Sequence, residues 1–272
     1  MALAEVFGRK IYYELHLATG EASVPPLLLV TGMAGSCSGW HALQVPEFVQ
    51  SRDVLIFDHR GVGESEDPGE AFSIADLATD AGALVRALGL GPVDVLGPFM
   101  GGMVAQELAL SDPELVRKLV LVGTYARPDA KRRILLEHWS HLMRQNTPRS
   151  SMVYERMLWT LQDETLEEED LVKSMTRFHG SGDAPFTDDL IIRQFEASIA
   201  HDTADRLGAL PHDTMIICGR HDQLTPPKFH RELADLIPKA QLVTLSYGAH
   251  LVMAESAERF NHVVLQFLDD AR

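Results

Sequence analysis

The side chains able to do chemistry are easy to find in this 272-residue sequence, but spacing alone assigns few of them a task. Twelve histidines are present. None belongs to a His-Glu-x-x-His pattern, which sets two imidazoles on one helical face around a metal. His138 and His141 stand three apart with Trp139 between them and read as surface or cavity-lining residues of a helix, so no metal site is expected. Ser36, Cys37 and Ser38 follow an apolar run and form the one cluster of candidate nucleophiles. A thiol attacks only as thiolate, which needs a neighbouring base and a lowered pKa, and nothing local supplies either. Ser65 and Arg60 lie in a Gly-rich turn and read as structural. Gly61-Val62-Gly63 lacks the surrounding dinucleotide-binding pattern, and no phosphate loop appears, so no cofactor is expected. Asp222 and His250 each follow an apolar run. A carboxylate beside an imidazole moves protons near neutral pH, although either residue alone is more often an ordinary polar group.

The elements that would position these residues alternate in type. Short apolar runs at 11–17, 27–30, 54–58, 93–97, 119–123, 215–219 and 241–245 read as strands. Several are apolar throughout, as in parallel strands covered on both faces. Amphipathic stretches at 74–88, 100–110, 227–237 and 257–268 read as helices. Alternation of this kind predicts an α/β fold with a doubly wound, mostly parallel sheet of about eight strands. The alternating run 11–17 is expected at an antiparallel edge. From residue 127 to 201 the rhythm breaks, with about four helices expected at 128–145, 149–162, 167–178 and 188–201. The separators are 147–148, 163–165 and 180–185. The acidic patch 164–170 reads as a solvated helix start. The expected organisation is therefore a core of residues 1–126 and 202–272 with a helical lid, residues 127–201, over the C-terminal edge of the sheet, where such sheets bind ligands.

Composition narrows the partners. The 46% apolar share supports a sizeable core, and the longest apolar runs are far too short to span a membrane. Lys and Arg number 24 against 39 Asp and Glu, a net charge of −15 that repels nucleic acid and anionic lipid. Two cysteines cannot build a disulfide framework, and the opening stretch shows no basic region followed by an apolar one. The expectation is a cytoplasmic protein with reduced thiols that acts on a small molecule. Its oligomeric state leaves no signature.

Five motifs, in order, resemble those of the α/β-hydrolase family, and jointly they are highly specific. Residues 27–32 followed by Met33-Ala34-Gly35 resemble its oxyanion loop, with Thr31 where many members carry His. Residues 58–65 resemble its Asp-x-Arg-Gly-x-Gly-x-Ser turn, and residues 95–102 its nucleophile elbow, in which a strand turns sharply through Gly-x-Ser-x-Gly into a helix. Residues 219–226 resemble its acid loop, and Gly248-Ala249-His250 its histidine loop. The resemblance covers essentially the whole chain and suggests small lidded esterases, lactonases and carbon–carbon bond hydrolases. It implies Asp222 as the acid that orients His250, His250 as the base, and the backbone N–H groups of Met33 and Met100 as an oxyanion hole. Trp139, Met143, Met157, Trp159 and Phe178 are candidates to line the pocket, with core packing the alternative for each.

The departure lies at the centre. Phe99 stands where the family has its nucleophilic Ser, and Pro98 precedes it. Phenylalanine has neither a reactive lone pair nor an ionisable proton, so no acyl-enzyme can form there. Three readings stay open. In the first, an enzyme uses the His250–Asp222 dyad as general acid and base, for cyclisation, elimination, isomerisation or direct water attack, with Phe99 as a pocket wall. In the second, the chain is a non-catalytic small-molecule binder or sensor. In the third, it is an ester or lactone hydrolase whose nucleophile has been replaced.

Overall fold

The computed structural model describes residues 2–20, 24–180 and 185–270, save the side chains of Phe178 and His179. The Phe178 expectation and most of the 180–185 separator therefore lie outside the described residues. The described chain carries eight strands: β1 (Ala2–Val6), β2 (Arg9–His16), β3 (Leu27–Leu29), β4 (Val54–Phe57), β5 (Val93–Pro98), β6 (Val116–Val122), β7 (Asp213–Gly219) and β8 (Ala240–Leu245). They form one sheet in the order β1-β2-β4-β3-β5-β6-β7-β8. β3 to β8 pair in parallel, while β2 runs antiparallel to both β1 and β4. Every residue of β3, β4 and β5 is buried, as the continuous apolar runs required.

One expectation is corrected. The run 11–17 is not the edge, because β1 pairs outside it in a hairpin, with Ala2 opposite Tyr13 and Val6 opposite Arg9. The two-residue turn between them, Phe7-Gly8, has φ of 49° and 74°, the left-handed pair that matches strand twist in a tight hairpin. Five residues with a single buried side chain, Val6, leave little periodicity to read.

Helices cover both faces. Ile74–Ala87, Met100–Ser111 and Pro227–Leu236 bury Leu77, Leu84, Met103, Val104 and Leu233 against one side, while Ala257–Asp269 buries Phe260 and Val264 against the other. Ser73 starts the first of these as a capping box: its hydroxyl accepts the Asp76 N–H while the Asp76 carboxylate accepts the Ser73 N–H. Between β6 and β7 come the helices Ala130–Arg144, Arg149–Thr160, Asp163–Leu166, Glu169–Gly180 and Asp188–Ala200. The separator expected at 163–165 is itself one helical turn, with Asp163 and Glu164 at its positive end. Asp129 and Thr187 cap two of the longer helices through the Arg132 and Leu190 N–H groups. Leu135, Leu136 and Trp139 join the same apolar core as Met100 and Met103, so these helices pack directly on the sheet. Among the described residues no helix is long and apolar enough to cross a membrane.

Candidate active site

The parallel strands all point one way, so the loops after β3, β5, β7 and β8 converge on one edge of the sheet. The sharpest is the step from β5 into Met100–Ser111. Phe99, the single residue between them, has φ 44° and ψ −110°, a backbone region that costs a non-glycine residue about 1–3 kcal/mol. Its neighbours hold it there: the Phe99 N–H donates to Val122 O (2.9 Å), and its carbonyl accepts from Thr124 Oγ1 (2.8 Å). The helix starts so close to the strand that a Cβ on Gly97 would overlap the Gly101 carbonyl, and one on Gly101 would overlap Val30 O. The Gly-x-x-x-Gly spacing is thus required by backbone contact, whatever side chain lies between.

His250, delivered after β8, faces that turn. Its Nδ1 lies 3.0 Å from Asp222 Oδ2, on the loop after β7. Thr225 completes the arrangement: its N–H donates to Asp222 Oδ1 and its hydroxyl to Oδ2, both at 2.7 Å, and the hydroxyl lies 3.2 Å from His250 Nδ1. Burial acts to raise the Asp222 pKa, but the charge of His250, its hydrogen bond and the Thr225 N–H together hold the carboxyl below its ordinary value. A carboxylate at Nδ1 keeps the proton on that nitrogen and leaves Nε2 to exchange protons with a ligand. Thr225 lay within a motif read from the sequence, but its role depends on a turn that folds back on Asp222.

His250 and Phe99 border a cavity of about 370 Å³. His250, Phe99, Pro98, Trp139 and the loop Thr31–Ser36 line it, together with Trp40, Val153, Arg156, Met157, Leu224 and Leu251. Met33 borders it through the loop after β3, and buried Met100 opens the helix that follows Phe99. Among the described residues neither the Met33 nor the Met100 N–H donates to a protein acceptor. Two of the pocket candidates do not border this cavity among the described residues. Met143 borders a second, small cavity of about 30 Å³ that shares Val153 and Arg156 with the first, and Trp159 sits under the Lys131 ammonium, 4.8 Å from its ring centre. Both lie on helices whose lining face depends on how the helices pack.

The other candidates have structural partners. Cys37 is buried, and burial followed by the Asp58 charge raises its thiol well above the ordinary value, opposing thiolate formation. Asp58 accepts the Cys37 N–H at 2.6 Å, and Ser65 Oγ bridges the Asp58 carbonyl and the Tyr12 N–H. Arg60 pairs with Asp80. Sequence reasoning missed the residues that brace the loops. Gln194, from the helix Asp188–Ala200, accepts the Ala34 N–H at 2.9 Å, and Gln162 accepts the Gly248 N–H at 2.7 Å. Glu255 accepts the Ala249, Gln162 and Thr165 donors at 2.6, 2.9 and 2.8 Å, tying the histidine loop to the helices above it. A buried Gln gives no periodic signal.

One group among the described residues has metal-ligand spacing: Glu14, His16 and His41, outside the cavity, with a Glu14 carboxylate oxygen 2.9 Å from Nε2 of each histidine. It could hold a divalent cation. Its members come from a strand and a distant loop, so no local spacing announces it.

Residues 25–257 match the family model for the alpha/beta hydrolase fold. RutD of Azorhizobium caulinodans, named as a carbamate hydrolase, is 28% identical over 262 residues, covering 94% of each chain. The RutD of Stutzerimonas stutzeri is 29% identical, covering 95% of this chain and 96% of that protein. Among solved structures, a hydrolase from Pseudomonas aeruginosa superposes with a TM-score of 0.87 at 26% identity, covering 98% of each chain. The enol-lactonase of Burkholderia xenovorans, at 24% identity and a TM-score of 0.85 with 99% of this chain and 100% of that one covered, shares the fold.

Proposed function

The chain belongs to the α/β-hydrolase fold family, and from that premise we propose that it hydrolyses a small apolar carbonyl compound without an acyl-enzyme. In this reading Phe99 occupies the elbow position at which the family attacks its substrate, and the helices between β6 and β7 form a lid over the cavity. His250 Nε2 takes a proton from water as the water adds to the carbonyl carbon, Asp222 stabilises the imidazolium, and the Met33 and Met100 N–H groups hold the developing oxyanion. The same proton then passes from His250 to the leaving group. The observation that carries the reading is the intact Asp222–Thr225–His250 array opening on an apolar cavity beside a side chain that cannot attack. Relatives named for carbamate hydrolysis favour hydrolysis over the other proton-transfer reactions the dyad could run.

The test is a panel of short carbamates, esters and lactones with the parent and His250→Asn, beside labelling by a fluorophosphonate, which captures activated serines. Turnover in the parent, its loss in His250→Asn, and labelling of Phe99→Ser but not of the parent are expected. Turnover that survives His250→Asn, or none across the panel, overturns the reading. A second reading, a ligand-binding protein without turnover, is favoured by one observation: the Phe99 ring packs against the His250 imidazole and fills part of the space a nucleophile would use. Saturable binding with no turnover by any panel member would establish it.

A further inference from the structure

Four residues of the helix Arg149–Thr160 line the cavity: Val153, Arg156, Met157 and Thr160. Their spacing is that of a single helical stripe. Val153 and Met157 are buried apolar side chains, as a cavity wall requires, but Arg156 is not of their kind. Arg156 is half-buried, and the protein packed around its side chain lowers its pKa from the ordinary arginine value. It still carries its charge at neutral pH.

The fully buried arginines among the described residues are matched. Arg52 pairs with Asp94, Arg60 with Asp80 and Arg193 with Asp67, while Arg132 sits near Asp129 and over the Phe229 ring. Among the described residues Arg156 has neither a carboxylate within ion-pair reach nor a side-chain hydrogen bond. Among the described residues it is also the one lining residue with a permanent charge, and that lining includes no Asp, Glu or Lys. A partly desolvated charge on an otherwise apolar wall, with no protein partner, is placed to pair with a charged ligand.

We propose that Arg156 is the anion-binding subsite of this cavity and that the substrate is an apolar carbonyl compound bearing a carboxylate. The guanidinium fork fits the two oxygens of a carboxylate, and a single positive charge matches a monoanion. A doubly charged phosphate finds no second cation among the described lining residues, and the chain's net charge of −15 opposes it further. With Arg156 on one wall and His250 on another, the carboxylate would fix which carbonyl reaches the dyad. The inference rests on the reading of this cavity as the substrate site, but it concerns binding and is tested without turnover.

The probe is 4-phenylbutyrate set against its neutral amide, 4-phenylbutyramide. Binding is read by calorimetry and by tryptophan fluorescence, since Trp40 and Trp139 both line the cavity. The parent is expected to bind the carboxylate at least tenfold more tightly than the amide. Arg156→Met should erase that preference while keeping or improving amide affinity, and Arg156→Lys should retain part of it. The Met variant should unfold at the same or a higher temperature, because it removes an unmatched charge. A preference that survives Arg156→Met, or a parent that does not discriminate, overturns the proposal. If Arg156→Met fails to fold, Arg156→Gln takes its place with the same readings. Repeating the titrations in His250→Asn separates the two claims: a carboxylate preference there upholds the subsite even where the catalytic reading fails.

Discussion

The Phe99 ring meets the His250 imidazole edge to face, with centroids 5.2 Å apart and planes at 79°. A second edge contact is made to Tyr125, with centroids 5.8 Å apart. The Phe99 side chain at the turn therefore packs against the imidazole that the proposed reading takes as the base. Phe99 pays for a strained backbone with ring contacts, and the two can be separated by mutation.

Phe99→Ala removes the ring but keeps a Cβ at φ 44°, and should cost about 3–5 kcal/mol in urea unfolding. Phe99→Gly removes the ring and the strain together, so it should be more stable than Phe99→Ala by about 1 kcal/mol. Equal stabilities, or Ala above Gly, would show that the backbone there is relaxed.

Asp222→Asn tests the dyad from its acid side. Asp222 accepts both Thr225 donors, so an amide must turn its NH2 toward one of them and lose the tautomer control of His250. Turnover should fall by about 10²–10⁴ with KM little changed. A loss below threefold would mean that His250 acts without an oriented partner.

Glu255 is a positioning residue, since it touches the histidine loop through the Ala249 N–H and the overlying helices through Gln162 and Thr165. Glu255→Ala should lower kcat about tenfold or more by loosening His250, while Glu255→Gln restores part of it. Unchanged kcat in Glu255→Ala, with the fold intact, would remove Glu255 from the site.

Stability should fall early in acid. His59, His201 and His230 are buried, and burial lowers each from 6.5 to about 4; at His230 the Asp222 charge opposes the shift and the His250 charge adds to it. The unfolded chain takes up these protons as pH falls through 6.5, the folded chain only near 4. Their contribution is therefore full above pH 6.5 and lost between 6.5 and 4. It amounts to roughly 3 kcal/mol per histidine, at 1.36 kcal/mol per pKa unit. Urea midpoints measured from pH 7.5 to 4.5 should drop steeply, and His230→Gln should flatten the slope. A midpoint constant down to pH 5 would count against buried neutral histidines. Loss of the Asp222 contribution belongs to a separate window, below its ordinary carboxyl value.

Local pattern determined the alternation of elements. Runs such as Val54–Phe57 and Val120–Val122 are apolar on both faces because helices cover both sides of the sheet, and that requirement is written in consecutive residues. Turn residues were equally legible, since the glycines around Phe99 answer to contacts within a few residues and one neighbouring strand. The meeting of Asp222 with His250 lay in loops that could be named in advance, but the 3.0 Å contact exists only because β7 and β8 are adjacent and parallel. Tertiary structure alone decided which face of each helix between β6 and β7 turns inward. It placed Arg156 and Met157 on the cavity and sent Met143 and Trp159 elsewhere. The physical reason is that strand burial repeats every two residues against a fixed sheet. The facing of a helix in an all-helical layer depends instead on crossing angles set by its neighbours, and an amphipathic pattern does not encode those angles.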